Sequence, residues 1–303
     1  MQTTTLYVIG NGFDLRHNIP SSLWHFKEFL LARDSDIYWD VEEYLPVDDD
    51  WCDLETALAY LDADMLINNL GHFMSSYGDE DWSDAGHHDF QYEVDQVVRR
   101  LSKGMRSRFG QWIRQLPIPS GESSLNRLTK LDSQALFLTF NYTSTLKRVY
   151  GVGTDRVLHI HGSAEAGDDE LILGHAWEPE SRASLNDMTD IADIADMDTR
   201  LMEANSIIDD YFCATFKPSQ ELIAKHRHFF EGLSGVNQVM ILGHSLSKVD
   251  EAYFKYLFLQ KSVAAAQWSI ACRSEEEWIE KSRKLDLMGI RPVSVRQVAW
   301  DTL

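Results

Sequence analysis

Four short stretches carry residue types able to hold a phosphate or line a ligand crevice. They are Gly10-Asn11-Gly12 with Phe13 and Asp14, Asn141-Tyr142-Thr143, His161-Gly162, and Gly243-His244-Ser245. Each directly follows an apolar run. A buried strand that ends in a glycine turn and feeds a helix presents backbone N–H groups where a phosphate can sit. Gly10 permits the tight turn, and Gly12, with no Cβ, lets a ligand approach the backbone. The dinucleotide fingerprint asks for a third glycine where this chain has Leu15, so a plain strand-to-helix turn stays open as a reading. Asn141 alone is a turn former and His161 alone an edge histidine. Their shared position after apolar strands is what favours a common cleft, because the carboxyl ends of parallel strands line the ligand crevice.

Two other chemistries are tested by the same residues. Gly243-His-Ser-Leu-Ser247 approaches the nucleophile elbow, with Ser245 as nucleophile, but the closing glycine is missing. That hydrolase order also requires a histidine after the serine and the acid, and no histidine follows His244. His159 and His161, two apart on a strand, are expected to share a face, which with His175 permits a metal-dependent nuclease or phosphohydrolase. No carboxylate stands at a recognisable metal spacing near them, and no metal is assigned.

The elements that must position these residues alternate in type. Leu6–Ile9, 135–140, 157–161, 171–173, 239–242, 268–272 and 293–298 read as strands. Between the first and second of these, the chain is helical in pattern. The clearest helix spans 89–116, where Val94, Val97, Val98, Leu101, Met105, Phe109, Trp112 and Ile113 keep a 3.6-residue period, and Pro117 and Pro119 end it. Leu54, Ala57, Leu58, Leu61 and Met65 put a second apolar face on 53–66. Residues 78–86 read as an acidic mobile loop, and 184–233 as mostly helical after an acidic start, with Pro218 separating two helices. Ser274 ahead of Glu275–Glu277 is a helix N-cap. The pattern predicts an α/β fold: a Rossmann-like open parallel sheet with helices on both faces and a helical insertion subdomain. Residues 1–32 and 131–303 are expected to form the nucleotide-binding domain, and 33–130 the inserted helical subdomain.

Composition narrows the partners. The 303 residues suffice for one large α/β domain with an insertion, and the formal net charge of −20 argues against sequence-independent nucleic-acid binding. Loop amides can still hold an anionic small ligand. Cys52, Cys213 and Cys272 are widely spaced with no Cys-x-x-Cys, which fits a reducing compartment. No apolar run approaches a membrane span. The expectation is a soluble, cytoplasmic protein.

With these motifs assembled, the chain resembles the bacteriophage abortive-infection family AbiH. The resemblance rests on Tyr7-Val-Ile-Gly-Asn-Gly-Phe-Asp14, Phe140-Asn-Tyr-Thr143, His159-Ile-His-Gly162, Leu173-Gly-His175, and Ile241-Leu-Gly-His-Ser-Leu246 with Asp250 and Tyr253-Phe254. That family in turn is distantly similar to sirtuin-related NAD-consuming proteins, whose glycine loop, asparagine turn, His-Gly and Gly-Thr-Ser-Leu loop occur in the same order. Thr143 stands where sirtuins have aspartate, and the four-cysteine zinc module is absent. The resemblance therefore implies cleavage of the cofactor rather than protein deacylation.

What it implies is an antiphage defence protein of the sirtuin-like, Rossmann-like kind, an NAD hydrolase (NAD glycohydrolase) with NAD as substrate. Asn141, His161 and Asp14 are the expected catalytic residues. Gly10, Asn11, Gly12, Phe13, Thr143, Gly162, Gly243, His244 and Ser245 are the expected cofactor contacts. A nucleotide-sensing module that binds the dinucleotide without cleaving it is the alternative. Expected partners are the dinucleotide, a phage-derived trigger or partner defence protein, and further copies of the chain as a homo-oligomer.

Overall fold

Thr5–Ile9 (β1) is buried at every position, as its unbroken apolar run requires. Leu6 and Val8 pack into one core cluster and Tyr7 and Ile9 into another, so both faces of the strand are covered. In this computed structural model, which describes residues 4–74, 88–121, 124, 126–167, 170–187 and 198–303, β1 lies at the centre of a sheet. The other strands are β2 (Leu136–Thr139), β3 (Val157–His159), β4 (Gln238–Leu242), β5 (Gln267–Cys272) and β6 (Ser294–Ala299). All pairings are parallel, in the order β3-β2-β1-β4-β5-β6. Order reverses between β1 and β4, and in an open parallel sheet that switch point is where a crevice opens beyond the carboxyl ends of the strands.

The chain divides into two compact units. One comprises Met1–Ser22, Gly110–Ile172 and Pro218–Leu303 and holds the sheet; the other comprises Leu23–Phe109 and Leu173–Lys217. In the sheet unit, the first cluster joins Leu138, Ile241 and Trp268 to Tyr253, Phe254 and Leu257 of the helix Glu251–Leu259. The second joins Phe137 and Leu242 to Phe13, Val149 and Tyr150. The Ser274 hydroxyl accepts the Glu277 amide, so the cap of the helix Glu275–Leu287 forms as the sequence requires.

The second unit is built from helices, chiefly Leu23–Arg33, Ser35–Tyr44, Ala63–Leu70, Asp89–Arg99 and Thr199–Ala214. Among its described residues no strand forms; the one β contact there is the isolated bridge between His175 and Phe216. Phe26 meets Phe109 edge-on at 5.2 Å, Trp51 is fully buried, and Lys217, also fully buried, is held by Glu55 at 2.9 Å. A buried ammonium needs such a partner, since burial without one costs several kcal/mol.

Several elements differ from the sequence reading. The 89–116 helix passes through a π-turn at Arg100–Gly104, where the Ser102 hydroxyl donates back to Val98 O at 2.6 Å. Residues 53–66 do not make one helix. A short helix and a 3-10 turn end at Tyr60, and Asp62 caps a new helix by accepting the Met65 amide, which leaves Met65 exposed and buries Leu66 instead. Leu171–Leu173 joins no ladder; Ile172 N–H donates to His161 O as a single loop bond. β3 ends at His159, so Ile160 and His161 lie in the turn beyond it. The acidic segment 78–86 and the acidic stretch 188–197 lie outside the described residues.

Candidate functional site

The turn after β1 and the turn after β4 meet at the switch point. Gly10 N–H donates to Leu242 O at 3.0 Å and Gly12 N–H to Gly243 O at 2.8 Å. A Cβ on Gly10 would stand 2.5 Å from the His244 Cα, and one on Gly12 would stand 2.8 Å from the Gly243 Cα. The glycines are thus required by backbone packed against backbone. Gly243 adds a left-handed φ of 70°, and Leu246 holds φ 54°, a costly conformation for a bulky side chain. The two turns form one strained junction, and strain of this kind gathers at ligand sites.

Asn11 and Ser245 are the exposed members of the junction, and Phe13 is fully buried. Asn11 accepts the Ser21 hydroxyl at 2.6 Å, and Ser245 O accepts from Lys284 Nζ at 3.0 Å.

Beneath Gly10 lies the turn after β2. Asn141 Nδ2 donates to Gly10 O at 3.1 Å, and its own N–H is accepted by Thr139 Oγ1 at 3.1 Å. Thr143 Oγ1 donates to Asp14 Oδ2 at 2.6 Å and lies 3.0 Å from Thr145 Oγ1. Asp14 is 1% exposed, and its second oxygen, Oδ1, has no hydrogen-bond partner among the described residues. Burial pushes the Asp14 carboxyl up to about 6, while the Thr143 hydroxyl, with Thr145 and Asn141 beside it, holds it back from going higher.

His161 enters a buried aromatic cluster with Phe140 and Tyr142, the neighbours of Asn141 in sequence. Its ring lies 5.3 Å from both Phe140 and Tyr253, and His244 lies 4.3 Å from Phe140. His161 Nε2 is 3.6 Å from Asp250 Oδ1, and His244 Nε2 is 3.5 Å from Asp250 Oδ2. His159 has different surroundings: its Nδ1 pairs with Asn141 O at 2.9 Å, and burial lowers its pKa. With β3 ending at His159, the two histidines do not act as a same-face strand pair. Gly162 takes φ 86°, and the side where a Cβ would stand is filled by Glu170 O at 2.2 Å. The glycine is therefore required by packing against its own loop.

Asn141, Asp14, Thr143 and the Gly10–Gly12 turn thus come together, and His161, Gly243 and His244 adjoin them. His175 belongs to the helical unit, where Nε2 pairs with Phe212 O at 3.1 Å and Nδ1 accepts the Trp177 amide at 3.2 Å. Among the described residues, no group of three His, Cys, Asp or Glu side chains is placed to hold a metal ion. Residue type and spacing give Asp250 and Tyr253 no role. Beyond their place among the residues that carry the family resemblance, the signal is an acidic residue just ahead of the helix Glu251–Leu259, which reads equally well as an ordinary helix start.

This is a doubly wound α/β protein whose polar residues gather at the topological switch point, the place where such folds take nucleotides and other ligands. Residues 6–272 match the model of the family described as bacteriophage abortive infection AbiH, and the chain belongs to that family. Its role is accordingly in abortive infection, the defence of a host against phage. No curated protein and no solved structure matches the chain. Among the described residues no helix is long and apolar enough to cross a membrane.

Proposed function

We propose that the protein defends its host in the cytoplasm by binding NAD at the β1/β4 switch point and hydrolysing it to nicotinamide and ADP-ribose. The observation that carries this reading is the strained junction of the Gly10–Gly12 and Gly243–Leu246 turns, with Asn141 bonded to it and His161 adjoining. With the Gly10 and Gly12 amides committed to β4, the phosphate contacts fall to the exposed Asn11 and Ser245, near the Lys284 ammonium. Asn141 orients the nicotinamide ribose or the attacking water. His161 takes the proton of that water as its oxygen bonds to the anomeric carbon. The carbon–nitrogen bond breaks, and its electron pair leaves with neutral nicotinamide. Positive charge builds on the ribose as this happens, and the buried Asp14 carboxylate stabilises it.

The test is to incubate pure protein with NAD, with and without a chelator, and to measure free nicotinamide. Release that survives the chelator supports the reading. Release abolished by the chelator transfers it to metal-dependent chemistry. His161 and Asn141 are 3% and 7% exposed. That burial favours, as a second reading, a sensing module that binds the dinucleotide intact; NAD binding with no nicotinamide released would identify it.

A further inference from the structure

We infer that Asp250 is the positioning residue for His161 and that His244 holds Asp250 in place, an inference that rests on His161 being the base. Asp250 closes the 3-10 turn Lys248–Asp250 and is 6% exposed. Its two carboxylate oxygens face two imidazoles, one each, at 3.6 Å (His161) and 3.5 Å (His244). The Leu246 N–H donates to His244 Nδ1 at 2.9 Å, which fixes the proton of neutral His244 on Nε2, the nitrogen aimed at Asp250.

On this inference the Asp250 carboxylate, 3.6 Å from His161 Nε2, holds the ring proton on that nitrogen, and Nδ1 is the atom that takes up a proton in the reaction. When Nδ1 accepts the proton of the attacking water, Nε2–H remains on the Asp250 side, and the carboxylate opposes the imidazolium charge. A carboxylate that orients an imidazole and selects its tautomer is a recurring device in general-base sites. The separations are ion-pair distances, longer than hydrogen bonds, and such contacts commonly tighten when substrate binds. Also facing His161 are the rings of Phe140, Tyr142 and Tyr253, and Phe140 in turn lies against His244.

The test uses the full chain with 15N-labelled histidine, with no NAD present, and reads the tautomer and titration of His161 by NMR. The parent is expected to hold the Nε2–H tautomer. In Asp250→Asn the His161 midpoint is expected to fall by about one pH unit, the lower end of what an adjacent opposite charge contributes. Asp250→Glu restores most of it. In turnover, the acid limb of the kcat profile moves down with the His161 midpoint while KM stays within about threefold. An Nδ1–H tautomer in the parent overturns the inference even if no variant folds, as does a His161 titration unchanged in Asp250→Asn. A parent that releases no nicotinamide yet shows the His161 shift rejects the base role and leaves Asp250 as the orienting group.

Discussion

Replacing Asp14 by Asn is expected to stabilise the protein, and increasingly so as pH rises from 4 to 8. An aspartate of ordinary pKa ionises near 3.8, whereas Asp14 in the folded chain ionises near 6. Between those values the folded state binds more protons than the unfolded state, so this group's contribution to stability falls with rising pH and levels off above about 6. From 3.8 to about 6, at about 1.4 kcal/mol per pH unit, the cost at neutral pH comes to about 3 kcal/mol. Asparagine keeps an oxygen for the Thr143 hydroxyl and has no charge to bury. Urea unfolding of parent and Asp14→Asn, compared at matched pH, isolates this group from the many other carboxylates. The stability difference should grow by about 2 kcal/mol from pH 4 to pH 8 in favour of the variant. A difference that is flat, or that favours the parent more at pH 8, would show that burial does not raise the Asp14 carboxyl. A fold keeps a charge at such a cost when the charge has work to do, so the variant should gain stability and lose turnover.

Gly243→Ala puts a Cβ 2.2 Å from the Phe13 nitrogen at φ 70°, whereas Gly151→Ala meets nothing within 4 Å at φ 65°. The first should cost more than about 3 kcal/mol and the second about 1 kcal/mol, the left-handed strain alone, read from urea midpoints. His175 is pushed down to about 4 by burial, so it contributes stability that is complete above about 6.5 and is lost as pH falls toward 4, up to about 3 kcal/mol. His175→Gln should flatten the acid limb of Tm against pH; an unchanged limb would remove His175 from its cause. His159→Ala should lower Tm through the lost bond to Asn141 O while leaving bound metal and metal dependence unaltered, which parallel metal analysis and chelator titration would check.

The parallel sheet was legible because β1, β2 and β4 are buried on both faces and so are written as unbroken apolar runs. The site was legible as four strand ends for the same reason. Pairing was less so. That Gly12 serves Gly243, and that Gly162 serves Glu170, depends on which loops meet in space, which spacing along the chain does not encode. His161 and His159 read as a strand pair because strand length is set by ladder partners, and β3 has only three residues in register with β2. The break at Asp62 is a side-chain cap overriding a continuous apolar period. Asp250 is not legible in the sequence because its contacts are to two histidines, 89 and six positions before it.

On the proposed function, NAD binds at the β1/β4 switch point and His161 acts as base there. Turnover and NAD affinity measured together for the parent and His161→Ala test it most directly. Nicotinamide release by the parent is expected, with about 100-fold or greater loss in kcat for His161→Ala and a Kd for NAD within about threefold of the parent. A His161→Ala protein that hydrolyses NAD as fast as the parent would contradict it.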